Sequence, residues 1–340
     1  MIIDFWNKFK QQKFERIYLF FGKEAFLHTE TMRLLEEHSI SETERDFNFS
    51  IYDMDETEID RAIEDAETLP FLGERRVVIV KNPYFLSTEK KKEKIEHNLK
   101  KLESYLEEPA PFSILAFFAP YEKLDERKKV TKLLKKNATV VELNSFTEQE
   151  TVSWIKELAE QEEVQIEQAA IKKLIDLTVG NLMIISSEMQ KLCTFVGKGN
   201  TIMETDVKKL VARTLEQNVF ELIDYVVQKK KGEALQLFYD LLKTNEEPIK
   251  ILSLLASQFR LIYQVKQLVH TGYSQPQIAS TLKVHPYRVK LANIKAKLFQ
   301  NEELSYIMKQ LAEADYEMKT GKMDKQLVLE LFLLKLFNTK

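Results

Sequence analysis

Cysteine, glycine and proline are scarce in this chain of 340 residues. The single cysteine, Cys193, excludes a disulfide framework and a Cys-based zinc site. Its neighbours Leu192 and Val196 fall at helical spacing, which favours a buried, inert thiol over a nucleophile. The 8 glycines and 8 prolines disfavour an all-β fold and long linkers. The 5 histidines lack the spacing of metal ligands, so we expect no metal and no cofactor.

Long apolar runs are also missing. The N-terminus has no apolar core of the kind that signal peptides carry, and no stretch approaches the ~18 apolar residues of a membrane span. We therefore expect a cytoplasmic protein without a membrane partner. A hydrophobic content of 44% is sufficient for ordinary cores, and the length predicts two or three domains.

Charge is unevenly distributed, although the net charge is only −3. Residues 30–67 hold 14 acidic and 3 basic residues, whereas residues 248–301 hold 8 basic residues and no acidic one. Such asymmetry indicates different partners for the two ends of the chain.

Residues 1–145 alternate between apolar runs and segments with helical spacing, which predicts an α/β domain with a mostly parallel sheet. The helix before the third apolar run, residues 75–81, is predicted to have Thr57 as its N-cap and to end before Pro70. Residues 89–101 mix Glu and Lys at helical spacing and predict an exposed helix with ion pairs. The apolar runs predicted as strands are 16–22, 46–54, 75–81, 113–119 and 138–143.

From Phe146 onward the pattern is helical. Thr147 and Glu150 form a capping-box pair, and a small helical domain is predicted over 146–213. An all-helical domain is predicted over 214–340. Within it, His285 and Pro286 are expected to cap and start a helix. The predicted helices of this last domain are 219–230, 232–243, 248–270, 275–282, 285–298, 301–318 and 324–337.

A phosphate-binding loop is missing after the first apolar run. An NTPase needs G-x-x-x-x-G-K-[ST] at this place, to supply backbone N–H groups, a lysine and a hydroxyl. Lys23 follows Gly22, but there is no second glycine, and Glu24 puts negative charge where phosphate would lie. The sequence therefore disfavours ATP hydrolysis, with a nucleotide-dependent ATPase of degenerate loop as the alternative.

An apolar turn, defined as residues 69–72, follows the strongly acidic helix in "TLPFLGERRVVIVKN". Connectors of this kind are normally polar. Phe71 and Leu72 either pack under the sheet or form an anchor for a partner. Arg75 and Arg76 either orient this turn or are charges at a strand edge.

Residues 275–298 also resemble a helix-turn-helix, a motif of DNA-binding regulators. Val289, Ile294 and Leu298 are expected to face the core, which argues against base readout by this helix. The basic residues of the region contact either the DNA backbone or a neighbouring subunit, or they lie on a solvated helix face. These candidate residues are Arg260, Lys266, Lys283, Arg288, Lys290, Lys295 and Lys297.

Several strings, in this order, resemble the delta subunit of bacterial DNA polymerase III, a component of the clamp loader, in its Gram-positive form. The resemblance covers nearly the whole chain. The strings that carry it are "IYLFFGKEAFL", "ETLPFLGERRVVIVKN", "APFSILAFFAPYEKLDERKKVTKLLKK", "VGNLMIISSEMQKL", "EEPIKILSLLASQFRLIYQVKQL", "HPYRVK" and "AEADYEMKTGKMD".

The resemblance implies three domains: an AAA+-like α/β domain over 1–145 without a working phosphate loop, a helical lid over 146–213 and a helical collar over 214–340. It implies a subunit without catalysis, in a ring with the ATPase subunits (tau or gamma) and delta-prime. Such a subunit binds the β sliding clamp and opens one of its interfaces, so that the clamp is loaded on primer-template DNA at the nucleoid-associated replisome. The family's clamp-binding element maps to Leu69, Pro70, Phe71 and Leu72, with Pro70 or Leu72 as the second apolar residue beside Phe71.

Overall fold

The five apolar runs predicted as strands form one parallel sheet in the order β2-β3-β4-β1-β5. Every residue of the central strand β4 is buried, as expected for a parallel sheet that is covered on both faces. The strands are β1 Ile17–Phe21, β2 Phe49–Asp53, β3 Arg76–Lys81, β4 Ser113–Ala119 and β5 Thr139–Glu142.

The computed structural model describes residues 2–88 and 95–337. The chain divides into two compact units, Met1–Ser145 and Phe146–Lys340. The three-domain division stays a prediction.

Helices cover both faces of the sheet in the first unit. The N-terminal helix was not predicted; its Phe5 ring packs edge-on against Phe20 of β1, with ring centroids 5.6 Å apart. Trp6 of the same helix donates a hydrogen bond to Thr31 at 2.8 Å. The helices are α1 Ile2–Lys10, α2 Ala25–Ser39, α3 Arg45–Asn48, α4 Ile59–Glu67, α5 Leu99–Glu107 and α6 Lys129–Asn137, with a short 3-10 helix Tyr84–Leu86.

Helix α4 leads to the apolar turn. Its buried face carries Ile59, Ala62, Ile63 and Ala66 at helical spacing, as predicted. The helix ends at Glu67 since Thr68 is extended, and Pro70 follows the end as expected. The prediction of Thr57 as N-cap is wrong: Glu58 occupies that position, and its side chain makes no capping bond.

Helix α5 begins at Leu99, so residues 95–98 are not helical and that part of the helix predicted over 89–101 is wrong. Asn98 caps α5 by accepting a hydrogen bond from the Lys101 backbone, which explains why the helix begins there. Residues 89–94 lie outside the described part of the chain.

The second unit is mostly helical. Thr147 and Glu150 form the predicted capping box at the start of its first helix. Two short parallel strands, β6 Gln165–Ile166 and β7 Thr201–Ile202, were not predicted. The helices are α7 Glu148–Gln161, α8 Gln168–Thr178, α9 Leu182–Val196, α10 Glu204–Leu210, α11 Leu215–Val227, α12 Lys231–Lys243, α13 Pro248–His270, α14 Gln275–Leu282, α15 Pro286–Ala296, α16 Asn301–Thr320 and α17 Lys325–Phe337.

Helices α11 to α17 share one apolar core, in which Phe238, Leu255 and Phe259 are fully buried. The described residues from 214 to 337 contain no strand, which confirms the all-helical C-terminal region. No helix in the described ranges is long and apolar enough to cross a membrane.

Candidate functional site

The apolar turn lies on the surface. The side chains of Phe71 and Leu72 are 55% and 79% exposed, and Leu69 is exposed as well. Pro70 is half-buried between them. The alternative in which Phe71 and Leu72 pack under the sheet is therefore wrong. Large apolar side chains that cluster on a surface indicate an interaction site.

Asn48 holds this turn in place. Its side chain is fully buried at the end of α3, just before β2. The amide Nδ2 donates to the Phe71 carbonyl at 2.7 Å, and Oδ1 accepts from the Phe71 N–H at 2.7 Å. Because both backbone groups of Phe71 are bonded to one side chain, the turn has little freedom to rotate about this residue.

Phe47 is a member of the surface that sequence reasoning missed. It is 54% exposed, and its ring lies 5.2 Å from the ring of Phe71, centroid to centroid. An aromatic pair at this distance is favourable beyond its buried area. Strand β2 and helix α4 separate Phe47 from Phe71 in the sequence, so only the position of α3 brings the two rings together.

The backbone of the turn is strained at Leu72, whose φ of 55° lies in the left-handed region that branched residues rarely adopt. Such strain costs about 1–3 kcal/mol and concentrates at functional sites. Gly73 follows, and a Cβ there would lie 2.6 Å from Oε2 of Glu44, so a larger residue would require the Glu44 side chain to move.

Arg76 ties the turn to the elements around it. Its guanidinium is nearly buried and forms an ion pair with Asp65 of α4, with Nε donating to Oδ1 at 2.6 Å. The same group donates to the Phe47 carbonyl at 3.3 Å. Arg75 lies instead over the Phe14 ring, 5.3 Å from its centroid. Of the two arginines, Arg76 is the one placed to orient the surface.

The loop after β1 is closed by protein contacts where an NTPase would hold phosphate. Lys23 forms an ion pair with Glu122 at 3.2 Å, and Glu24 accepts a hydrogen bond from Ser145 at 3.1 Å. A Cβ on Gly22 would lie 2.2 Å from the Leu143 carbonyl oxygen, so the backbone just after β5 fills this space. The N–H groups of Gly22 and Glu24 donate to the carbonyls of Ala119 and Leu143, at 3.2 and 3.1 Å, so these two donors are not left for an anion.

The basic residues of α15 mostly contact protein. Lys295 is only 6% exposed and forms an ion pair with Asp224 of α11, so its prediction as a surface contact is wrong. Burial lowers the pKa of Lys295, and the Asp224 carboxylate opposes that shift. Arg288 is half-buried and pairs with Glu216 at 2.7 Å. Lys290 pairs with Glu148 at 2.5 Å.

The other basic candidates differ in exposure. Lys266 is half-buried and donates to the carbonyls of Ala296 and Phe299, at 3.0 and 2.8 Å, which makes it a C-terminal cap of α15. Arg260, Lys283 and Lys297 are exposed, so these three remain available to a partner.

The core face of α15 was predicted incorrectly. Val289 is fully buried as expected, but Ile294 and Leu298 are both more than half exposed. Five helical positions separate 289 from 294, which places the two on different faces. Ala292 and Ala296 are the residues that share the buried face with Val289.

The remaining candidates are structural. His285 caps α15 as predicted, with Nδ1 accepting from the Tyr287 N–H at 3.2 Å. Burial and the nearby Arg288 lower the pKa of His285. Cys193 is buried as predicted, and burial raises the pKa of its thiol. Within the described ranges, no group of three or more His, Cys, Asp or Glu side chains is placed to hold a metal.

Comparison with known families gives three matches along the chain. The model described as "DNA polymerase III, delta subunit" matches residues 18–144. A model described as a middle domain matches 147–209. The model of the C-terminal domain of the DNA polymerase III delta subunit matches 216–336.

Individual relatives cover most or all of the chain. The DNA polymerase III subunit delta of Bacillus subtilis (strain 168) is 54% identical over 336 residues, which cover 99% of this chain and 97% of that protein. The "Probable DNA polymerase III subunit delta" of Aquifex aeolicus (strain VF5) is 23% identical over 265 residues, 76% of this chain and 73% of that protein. The solved Bacillus subtilis DNA clamp loader delta protein aligns over 100% of both chains with a TM-score of 0.86 and 54% identity. The chain thus belongs to the family of DNA polymerase III delta subunits, the delta component of the clamp loader.

Proposed function

We propose that this protein binds the β sliding clamp through Leu69, Pro70, Phe71 and Leu72, together with Phe47, and holds one clamp interface open. The observation that carries the proposal is the exposure of Phe71 and Leu72 on a backbone that Asn48 fixes from below. An apolar anchor of this kind fits a recess on a partner better than it fits solvent.

The energetics suit such a role. Burying Phe71 and Leu72 in a partner contributes roughly 1.5–3 kcal/mol each to the free energy of binding, from the transfer of apolar surface out of water. The entropy lost when the turn becomes ordered is subtracted from this amount. That loss is small here, because Pro70 and the two Asn48 bonds already restrict the turn in the free protein. Affinity gained in this way can favour an open clamp only as far as the turn binds the open form more tightly than the closed one.

We further propose that the three matched stretches act as separate parts: 1–145 as the AAA+-like clamp-binding domain, 146–213 as a lid and 214–340 as the collar. The collar would join the tau or gamma ATPase subunits and delta-prime in the loader, which places the clamp on primer-template DNA. The work would be done in the cytoplasm, at the nucleoid-associated replisome. Support comes from the matches at 18–144, 147–209 and 216–336.

The proposed role involves no catalysis by this chain. The closed loop around Gly22, with Lys23 bound to Glu122, supports that view and disfavours the alternative of a degenerate ATPase. Titration of the full chain with labelled ATP tests it: we expect no saturable binding at millimolar concentration, and saturable binding would favour the ATPase. The other alternative, a helix-turn-helix regulator, is disfavoured because Arg288, Lys290 and Lys295 of α15 are bound to Glu216, Glu148 and Asp224.

Clamp binding is tested by replacing Phe71 with alanine in the full chain. We expect affinity for the β sliding clamp to fall by about 30-fold or more, as for a central aromatic anchor. Phe195→Ala is the matched control, because Phe195 is 50% exposed on α9 in the other unit. Equilibrium binding and release of the clamp from circular DNA are the two measurements. Unchanged binding by Phe71→Ala would contradict the proposal.

A further inference from the structure

Helix α15 contacts two stretches of the chain that match different family models. The middle stretch, residues 147–209, is connected to the C-terminal stretch, residues 216–336, by a short segment between α10 and α11. Helix α15 belongs to the C-terminal stretch, and its fully buried Val289 lies in the apolar core of α11 to α17. The described members of that core all lie between 215 and 337. The connection between the two stretches therefore depends on contacts outside this core.

Tyr287 makes the first of these contacts. Its side chain is only 8% exposed, and its hydroxyl donates a hydrogen bond to the Asp176 carboxylate near the end of α8. Burial raises the pKa of Tyr287, and the hydrogen bond to Asp176 raises it further, so the hydroxyl keeps the proton that it donates. A hydrogen bond to a charged acceptor is stronger than one between neutral groups. Tyr287 thus ties the start of α15 to α8.

Lys290 makes the second contact, one turn further along α15. Its ammonium forms an ion pair with Glu148 at the start of α7, at 2.5 Å. The same ammonium lies over the Tyr287 ring, 5.7 Å from its centroid. Solvent screens this ion pair because both side chains are partly exposed, so it contributes less than the buried bond of Tyr287. Together the two side chains hold the middle stretch at two separate helices.

Gly180 allows α15 to approach the end of α8 closely. Its φ of 72° lies in the left-handed region that favours glycine. A Cβ at this position would lie 3.3 Å from the Cβ of Tyr287 and 3.2 Å from Cε1 of His285, so a larger residue would press on the start of α15. A cavity of about 150 Å³ lies at the same junction and is lined by residues of α7, α8, α14 and α15. Because packing is incomplete around this cavity, the polar contacts carry much of the connection.

We propose that helix α15 locks the middle stretch to the C-terminal stretch through Tyr287 and Lys290, so that the two stretches move as one rigid body. The ion pair of Lys295 with Asp224 fixes α15 to α11 on the other side. A rotation of the C-terminal stretch then reaches the middle stretch without being lost at the junction. The two stretches keep their separate roles while their relative orientation stays fixed.

Distances between two spin labels in the full chain test this lock. Lys156→Cys on α7 and Glu233→Cys on α12 carry the labels, because both positions are exposed. Cys193→Ala removes the native thiol from all variants. Pulsed electron paramagnetic resonance then gives the distribution of label-to-label distances, whose width reports how freely the two stretches move relative to each other.

Tyr287→Phe/Lys290→Gln removes the hydroxyl and the charge with little change in shape. We expect the distance distribution to become about twofold wider, since the junction is then free to change its angle. The matched control is Tyr306→Phe/Lys309→Gln, the same two substitutions at exposed positions of α16. The control should give the distribution of the wild type.

A charge swap separates the ion pair from general damage to the fold. Lys290→Glu places two carboxylates side by side and should widen the distribution, whereas Glu148→Lys/Lys290→Glu should narrow it again. If circular dichroism shows that Tyr287→Phe disturbs folding, the swap still decides, because Glu148 and Lys290 are both partly exposed.

Three outcomes would overturn the proposal: an unchanged width in Tyr287→Phe/Lys290→Gln, an equal widening in the control, or a widening by Lys290→Glu that the swap does not reverse. The measurement contains no clamp. Its failure would therefore leave the proposed clamp binding intact, and unchanged clamp binding by Phe71→Ala would leave the lock intact.

Discussion

The apolar turn and helix α15 both place apolar and charged side chains next to each other, and in both a charged group is buried while an apolar neighbour is exposed. In the turn, Phe71 and Leu72 are exposed and the charge of Arg76 is nearly buried beneath them. In α15, the sequence suggested exposed cations over an apolar face, yet Lys295 is buried and Ile294 is exposed. The two regions differ in what the sequence indicated: exposure of the turn was one of two alternatives, whereas the pattern in α15 is the reverse of the prediction. Residue type alone therefore does not decide burial.

What decides burial is the partner that the fold provides. Arg76 is buried because Asp65 of α4 and the Phe47 carbonyl satisfy its donors. Lys295 is buried because Asp224 and the carbonyl of Phe220 lie within reach. Phe71 stays outside because Asn48 holds its backbone at the edge of the sheet.

Removing the Asn48 side chain should have the largest effect on this comparison. Asn48→Ala breaks two backbone bonds and is expected to cost about 2–3 kcal/mol of unfolding free energy, since each bond contributes about 1 kcal/mol and the site is buried. Clamp affinity should fall about tenfold as well, because the freed turn loses entropy on docking. Denaturant titration and equilibrium clamp binding are the measurements.

Asn137→Ala is the control for that variant, because Asn137 also donates to a backbone carbonyl, that of Leu106 at 2.9 Å. It should lose stability but keep its clamp affinity. If Asn48→Ala keeps full affinity, Asn48 does not position the turn.

The buried pair of α15 gives the next effect. Asp224→Ala leaves the Lys295 ammonium without its carboxylate and should lower the free energy of unfolding by about 2 kcal/mol. This loss is smaller than for a fully buried pair, because Asp224 is half-exposed and solvent screens its charge. Lys295→Met removes the charge itself and should change stability by less than about 1 kcal/mol. Thermal and chemical unfolding measure both. Equal losses in the two variants would mean that the ion pair itself stabilises the fold and that an unpaired Lys295 ammonium adds no further cost.

The two faces of α15 can be separated by truncation. Val289→Ala should cost about 1.5–2 kcal/mol, because Val289 is fully buried in the apolar core shared by helices α11 to α17. Ile294→Ala and Leu298→Ala should each change stability by less than about 0.5 kcal/mol. Denaturant unfolding of the full chain decides between them. A large loss at Ile294 would show that this side chain is covered in solution.

The smallest effect concerns DNA. Lys297→Gln should lower the salt dependence of DNA binding by the assembled loader, by about 0.9 units of the log–log slope if Lys297 neutralises one phosphate. Lys295→Met should leave that slope unchanged, since Lys295 is occupied by Asp224. Binding of primed DNA at several salt concentrations is the measurement, and an equal drop for both variants would contradict the assignment of Lys295 to the interior.

Sequence patterns predicted the fold well where the period was long and regular. The strand 113–119 and the helices 248–270 and 275–282 were predicted with their observed bounds. Helix α1 was overlooked, although its buried residues Ile2, Ile3, Phe5, Trp6 and Phe9 fall at helical spacing. The two-residue strands β6 and β7 are set by long-range pairing, which no local pattern reports.

The site was predictable only in part. The apolar side chains beside Pro70 indicated an unusual connector at residues 69–72, and the resemblance to delta subunits indicated clamp binding as its role. Neither pointed to Phe47 or Asn48, because their roles depend on the short helix α3 bringing them next to Phe71. The error at Ile294 was avoidable: a count of helical positions from Val289 already places it on another face.

The two bonds from Asn48 have a mechanical consequence. If the apolar turn were flexible, a movement of its domain would change the conformation of the turn and would not move a bound partner. The N–H and the carbonyl of Phe71 are both hydrogen-bonded to the fully buried Asn48 side chain. A shift of the sheet therefore moves the apolar turn with it. We therefore expect the apolar turn to be rigid enough to transmit force from the sheet to a bound partner.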